Sequence, residues 1–94
     1  MRNYKKFNWI DNAEKLRQLL YKKVRNHADL EVSFSPSEIN PNYVLMGDDR
    51  EDFVKWLIEE RIAKSVKDGG ANRLICIVTD AFMSEELSKE VFGQ

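Results

Sequence analysis

Residues 62–80, IAKSVKDGGANRLICIVTD, decide how this chain folds. Asp68-Gly69-Gly70 in their middle reads as a stop, because glycine takes the left-handed conformation of a helix end at no steric cost. Beyond it, Arg73 to Thr79 is an apolar strand with no polar alternation, the pattern of a central strand covered on both faces. Before it, the sequence reads as the end of a long helix that begins at Asp48 or Asp49 and runs to about Lys67. Phe53, Val54, Leu57, Ile58 and Ile62 give that helix a broad apolar face. Asp49, Glu51 and Asp52 in its first turn suit the positive end of the helix dipole.

Working outward from there, Tyr43 to Met46 reads as a strand closed by Gly47. With the long helix and the apolar strand it makes a right-handed crossover between parallel strands. Leu30 to Ser35 alternates, with Leu30, Val32 and Phe34 inward and Glu31, Ser33 and Ser35 outward, as in a half-exposed strand. The polar connector PSEINPN joins these two strands as a hairpin. A first helix spans about Asp11 to His27. Asp11 and Glu14 have the capping-box spacing, and Ala13, Leu16, Leu20 and Val24 form its apolar stripe. A last helix is capped by Ser84, buries Met83, Leu87 and Val91, and ends at Gly93. Residues 1–10, MRNYKKFNWI, fit an N-terminal arm, a fourth strand or a leading helical turn equally well.

The expected architecture is a single α+β domain over residues 1–94. Its order is α-β-β-α-β-α, with helices packed on a three-stranded mixed sheet. In topology alone this order resembles the bacterial type of KH-like RNA-binding domain. That family clamps the nucleic-acid backbone with a GxxG loop, whereas the glycine pair Gly69-Gly70 here ends a helix.

Composition bounds the function. Ninety-four residues, 43% hydrophobic and 33% charged, suit one packed core. The longest apolar run, Leu74 to Val78, is far short of the roughly 20 residues that cross a bilayer. No apolar stretch of signal-peptide length follows Arg2, Lys5 and Lys6, so a cytoplasmic protein is expected. The net charge of −1 hides an asymmetry. Residues 1–30 hold eight Lys/Arg against three acids, and residues 31–94 hold seven against thirteen. Such halves imply a basic face and an acidic face, and with them an anionic partner or head-to-tail self-association.

The candidate residues each have a chemical and a structural reading. Asp48, Asp49 and Asp80 would lie beyond the carboxyl ends of two parallel strands and could hold magnesium through oxygen ligands; as helix caps they need no ligand. Cys76, inside the apolar run, reads as a small buried hydrophobe. His27, the only histidine, reads as a helix-end cap and has no second soft ligand for zinc. SFSPS lacks the glycines of a nucleophile elbow. Lys5, Lys6, Lys15, Lys22 and Arg25, interleaved with Tyr4, Phe7 and Trp9, could neutralise phosphates while the aromatics stack on bases. Arg61, inside the apolar arc of the long helix, and the tryptophans Trp56 and Trp9 are candidates for a protein interface.

With no complete catalytic set and no cofactor motif, the leading expectation is a non-enzymatic protein-binding or regulatory module. Its partner is a second copy or a larger host protein, and its small size fits an accessory protein of a phage or mobile element. The alternatives are binding of RNA or single-stranded DNA through the basic N-terminal face, and a small metal-dependent enzyme built on Asp48, Asp49 and Asp80.

Overall fold

Leu16, Leu20 and Val24 recur every fourth residue and close one side of α1 (Ala13–Val24). The computed structural model describes residues 12–41 and 47–93; residues 1–10, Asp11 of the expected capping box and the strand expected at Tyr43 to Met46 lie outside them. After α1 come β1 (Glu31–Phe34), a 3-10 turn (Pro36–Glu38), α2 (Gly47–Glu59), β2 (Ala63–Asp68), β3 (Leu74–Val78) and α3 (Asp80–Phe92). The result is the expected α+β domain of three helices on a three-stranded sheet, ordered β1-β3-β2.

The sheet corrects one expectation. Both β1 and β2 pair antiparallel with β3, so the sheet is antiparallel and not mixed. The parallel crossover is absent from the described residues, and the likeness to a KH-like domain loses its basis. β3 is central, as its apolar run implied, with one face more deeply buried than the other. Leu74, Cys76 and Val78 are fully buried, whereas Ile75 and Ile77 are half-buried. The core lies between this face and the helices. It joins Leu16, Leu20 and Val24 to Phe53 and Leu57 of α2, Phe82 of α3, and Val32, Phe34 and the β3 residues of the sheet.

The long helix is also corrected. It ends at Glu59, and residues 63–68 form β2 where helix was expected. The chain leaves α2 through a Schellman-type end. Ile62 N–H bonds to the Leu57 carbonyl at 3.0 Å and Arg61 N–H to the Ile58 carbonyl at 3.0 Å. Leu57 and Ile62 are both buried there. Arg61 occupies the left-handed position, φ 61, and is exposed on the turn instead of lying in a helical apolar arc. Gly69 and Gly70 then serve a hairpin turn. Gly69 N–H bonds to the Arg73 carbonyl, Arg73 N–H returns to Gly70, and Gly70 sits at φ +102. Because a side chain in the left-handed region costs about 1 kcal/mol, Arg61→Gly is expected to stabilise the fold by roughly that amount. A urea midpoint that falls in this variant would refute the assignment.

Smaller differences have local causes. Asn12 stands at the N-cap of α1 without a side-chain cap bond, and α1 ends at Val24 instead of His27. His27 turns a ring nitrogen to the Glu31 carbonyl, 3.2 Å away, and it is its backbone N–H, not its ring, that bonds to the Val24 carbonyl at the end of α1, at 2.8 Å. Ser35 is buried, not outward. It completes a capping box with Glu38 at the start of the 3-10 turn. Burial pushes the Glu38 carboxyl up, but the Ser35 N–H and Lys23 outweigh it and hold it below its usual value. α3 starts at Asp80 and is capped by Thr79, not by Ser84. Thr79 Oγ1 accepts from Phe82 N–H and donates to the Arg61 carbonyl, at 2.9 and 2.5 Å, so one hydroxyl joins the end of α2 to the start of α3.

Candidate functional site

α1 and α3 meet along a seam of charge. Arg17 donates from Nε to Glu86 and from Nη2 to Glu85, both at 2.6 Å, and its guanidinium lies 5.0 Å over the Phe82 ring. Lys89 reaches Glu86 at 2.9 Å and Glu14 at 3.2 Å. Arg25 and the Tyr21 hydroxyl both bond to Glu90, at 3.1 and 2.8 Å. A groove of about 370 Å³ runs along this seam. Glu86 is only 4% exposed, so it is a buried charge that the two cations must stabilise.

The seam accounts for part of the charge asymmetry of the sequence. Arg17 and Arg25 of the basic first third are paired with Glu85, Glu86 and Glu90 of the last helix, within one chain. The arrangement is structural in its chemistry. Lys89 beside Glu14 holds that carboxyl below its ordinary value, and Glu86 beside Lys89 raises the ammonium. Both stay charged around neutral pH, so neither is poised to exchange a proton there. The Tyr21 hydroxyl is pushed up by its bond to Glu90.

The consequence appears on the other side of α3. Beyond Asp80, all four charged residues of the helix, Glu85, Glu86, Lys89 and Glu90, take part in the seam. Phe82 and Glu86 are its buried residues, while Leu87 is 52% exposed, Val91 61% and Phe92 83%. The expectation that Leu87 and Val91 face the core is therefore reversed. Helical spacing sets Ala81, Ser84 and Ser88 beside them, and these are exposed too. The amphipathic pattern is inverted, with the later charges turned to α1 and an aliphatic and small-residue stripe outward, which carries the exposed Asp80 at its first turn. A cleft beside this stripe is lined by Glu60, Arg61, Ala81, Ser84, Glu85 and Ser88.

Among the described residues, those singled out in the sequence do not come together. Lys5, Lys6 and Trp9 lie outside the described residues. Lys15 and Lys22 are exposed on α1, and Arg25 is held by Glu90. Trp56 is half-buried and not exposed on a polar side. It stacks on Phe53 with ring centroids 6.0 Å apart. Arg61 does border an open surface, the cleft beside α3. Asp48 and Asp49 start α2, next to the Arg50–Asp68 pair at the hairpin end of the sheet. Asp80 starts α3 at the opposite end, where Thr79 N–H bonds to the Ile62 carbonyl. No group of three or more His, Cys, Asp or Glu side chains is placed to hold a metal ion among the described residues. Cys76 is fully buried in β3, and burial pushes its thiol up to about 12, which makes it a poor nucleophile. No helix among the described residues is long and apolar enough to cross a membrane.

Leu87 and Val91 are the surface residues the sequence reading missed. A signal was present: Glu14, Arg17, Tyr21 and Arg25 line one side of α1 at helical spacing, and Glu85, Glu86, Lys89 and Glu90 offer complementary groups on α3. Matching those stripes turns the apolar residues of α3 outward. Comparison with protein-family models, with curated proteins and with solved structures gives no match for this chain.

Proposed function

We propose that the chain is a non-enzymatic protein-binding module that associates with a second copy of itself through the outward face of α3. The observation that carries this reading is the inverted amphipathicity of α3. The helix directs its charged groups to α1 and leaves Leu87, Val91 and Phe92 in water. Asp80 is the one charge on this stripe, and an antiparallel twofold pairing sets it opposite Phe92 of the other copy, so no like charges meet. Antiparallel packing centred between Ser84 and Ser88 brings two helices close, because the residues at the crossing are small. It sets Val91 of one copy over Ala81 of the other, and Phe92 beside the cleft bordered by Arg61.

A helix of 13 residues offers about 400 Å² per copy, about 800 Å² in all and below the roughly 1,200 Å² of a standard specific interface, so a weak, transient dimer is expected. Sedimentation equilibrium tests this. The natural chain should dimerise, and Leu87→Glu/Val91→Glu should stay monomeric with unchanged helix content. A natural chain that remains monomeric at millimolar concentration would end the proposal. The nucleic-acid alternative is weakened by the pairing of Arg17 and Arg25 within the chain. It predicts salt-sensitive binding of single-stranded RNA or DNA that Lys15→Ala/Lys22→Ala reduces.

A further inference from the structure

β2 is an edge strand, and its hydrogen-bond parity can be fixed. Val78 N–H bonds to the Leu30 carbonyl, on the β1 side of the sheet. Gly69 N–H bonds to Arg73, and Thr79 N–H to Ile62, on the β2 side. Alternation along a strand then turns the even-numbered residues of β3 toward β1 and the odd-numbered ones toward β2. Ser65 pairs with Ile77 and Lys67 with Ile75, so these two bond inward to β3. Val66, between them, turns its N–H and carbonyl to the outer edge. Among the described residues no backbone group occupies that edge.

Beside this edge, between α2 and β2, lies a groove of about 380 Å³. Val54, Val66 and Leu74 form its apolar floor, and Lys55 and Lys67 stand on either side. Both lysines are exposed and enter no ion pair among the described residues. Arg50, at one end, is already engaged by Asp68 and the Arg73 carbonyl. An open strand edge and an apolar slot beside it are the parts of a strand-addition site, and the cations on its rim favour an acidic occupant.

We propose that the β2 edge binds an extended peptide in which apolar and acidic residues alternate. The peptide backbone pairs with Val66. Because successive side chains of a strand point to opposite faces, its apolar residues enter the groove over Val54, Val66 and Leu74. Its carboxylates fall on the other face, opposite Lys67. Lysine on an edge strand also discourages indiscriminate pairing, so the same residue that resists aggregation selects an acidic occupant. This site is separate from the outward face of α3 and does not rest on self-association.

The probe is a fluorescein-labelled peptide of alternating glutamate and valine, seven residues long, followed by anisotropy at low salt. Binding should be saturable, and a lysine–valine peptide of equal length should not bind. Lys67→Glu, a change at an exposed position, should invert that preference. N-methylation separates strand pairing from simple charge attraction. Methylating the amides that face β2 should abolish binding, while methylating the alternate set should leave it within about twofold. The Leu87→Glu/Val91→Glu protein should bind the peptide as the natural chain does, so failure of either proposal is seen independently. No saturable binding at millimolar peptide, equal binding of the lysine peptide, or equal loss with both methylated sets would each overturn the proposal.

Discussion

Arg17→Ala is expected to destabilise the fold by about 3 kcal/mol, the cost of stranding a buried charge. Glu86, 4% exposed, is held from one side by Arg17 and from the other by Lys89. The two cations are not equivalent. The Arg17 side chain is 15% exposed and also lies over the Phe82 ring, whereas the Lys89 side chain is 43% exposed. Removing Lys89 leaves Glu86 with its bidentate-capable partner, so Lys89→Ala should cost about 1 kcal/mol, as for an exposed pair. Removing Arg17 leaves the carboxylate with one flexible, half-solvated ammonium. The loss comes from the uncompensated charge more than from the bond itself. A double replacement, Arg17→Met/Glu86→Leu, should therefore recover most of it. Urea unfolding of the four proteins reads these differences. An Arg17→Ala loss no larger than that of Lys89→Ala would mean that the seam does not hold α3 on α1.

That seam also explains why part of the fold was readable in the sequence and part was not. α1 and β1 carry clean periods, and in each the stripe of Leu16, Leu20 and Val24 or the alternation of Val32 and Phe34 is what the core buries. Phe53 and Leu57 likewise mark the inner face of α2. β2 has no such signal, since Val66 is the only apolar residue between Lys64 and Asp68. Its conformation is set from outside, by pairing with β3 through the Gly69-Gly70 turn. A glycine pair reads equally well as a helix end or a hairpin turn, and only the distant strand decides. In α3 the usual preference for inward hydrophobes was outweighed by charge pairing with α1. Leu87 and Val91 have core periodicity and a surface position. The opposed basic and acidic regions were legible, but they meet within the chain. The interface candidates followed the same division. Trp56 turned inward to stack on Phe53, and Arg61 turned outward because the helix that was expected to contain it ends before it.

Raising the pH from 9 to 11 should remove about 2 kcal/mol of stability through one side chain, Cys76. The thiol is fully buried in the central strand, between its cross-strand partners Val32 and Val66. Burial pushes it from an ordinary value of 9.0 up to about 12. The folded value lies above the unfolded one, so the contribution is complete below pH 9. It is lost as the pH rises toward 12, because the unfolded chain releases a proton that the folded chain retains. Tyr21 and Lys89 are raised as well, through Glu90 and Glu86, and add a smaller alkaline loss because both are solvated. Cys76→Ala separates the contributions. At pH 7 it should cost about 1–2 kcal/mol in lost packing, but its stability should fall less steeply above pH 9, so that the two curves converge and then cross at about pH 10. The acid limb should be the same in both proteins. There Glu14 and Glu38, held below their ordinary 4.5, contribute stability that is lost as the pH falls through their folded values. Urea unfolding at each pH gives both limbs. An alkaline limb as steep in Cys76→Ala as in the natural chain would assign the loss to Tyr21 and Lys89, and would mean that water reaches the thiol in the folded state.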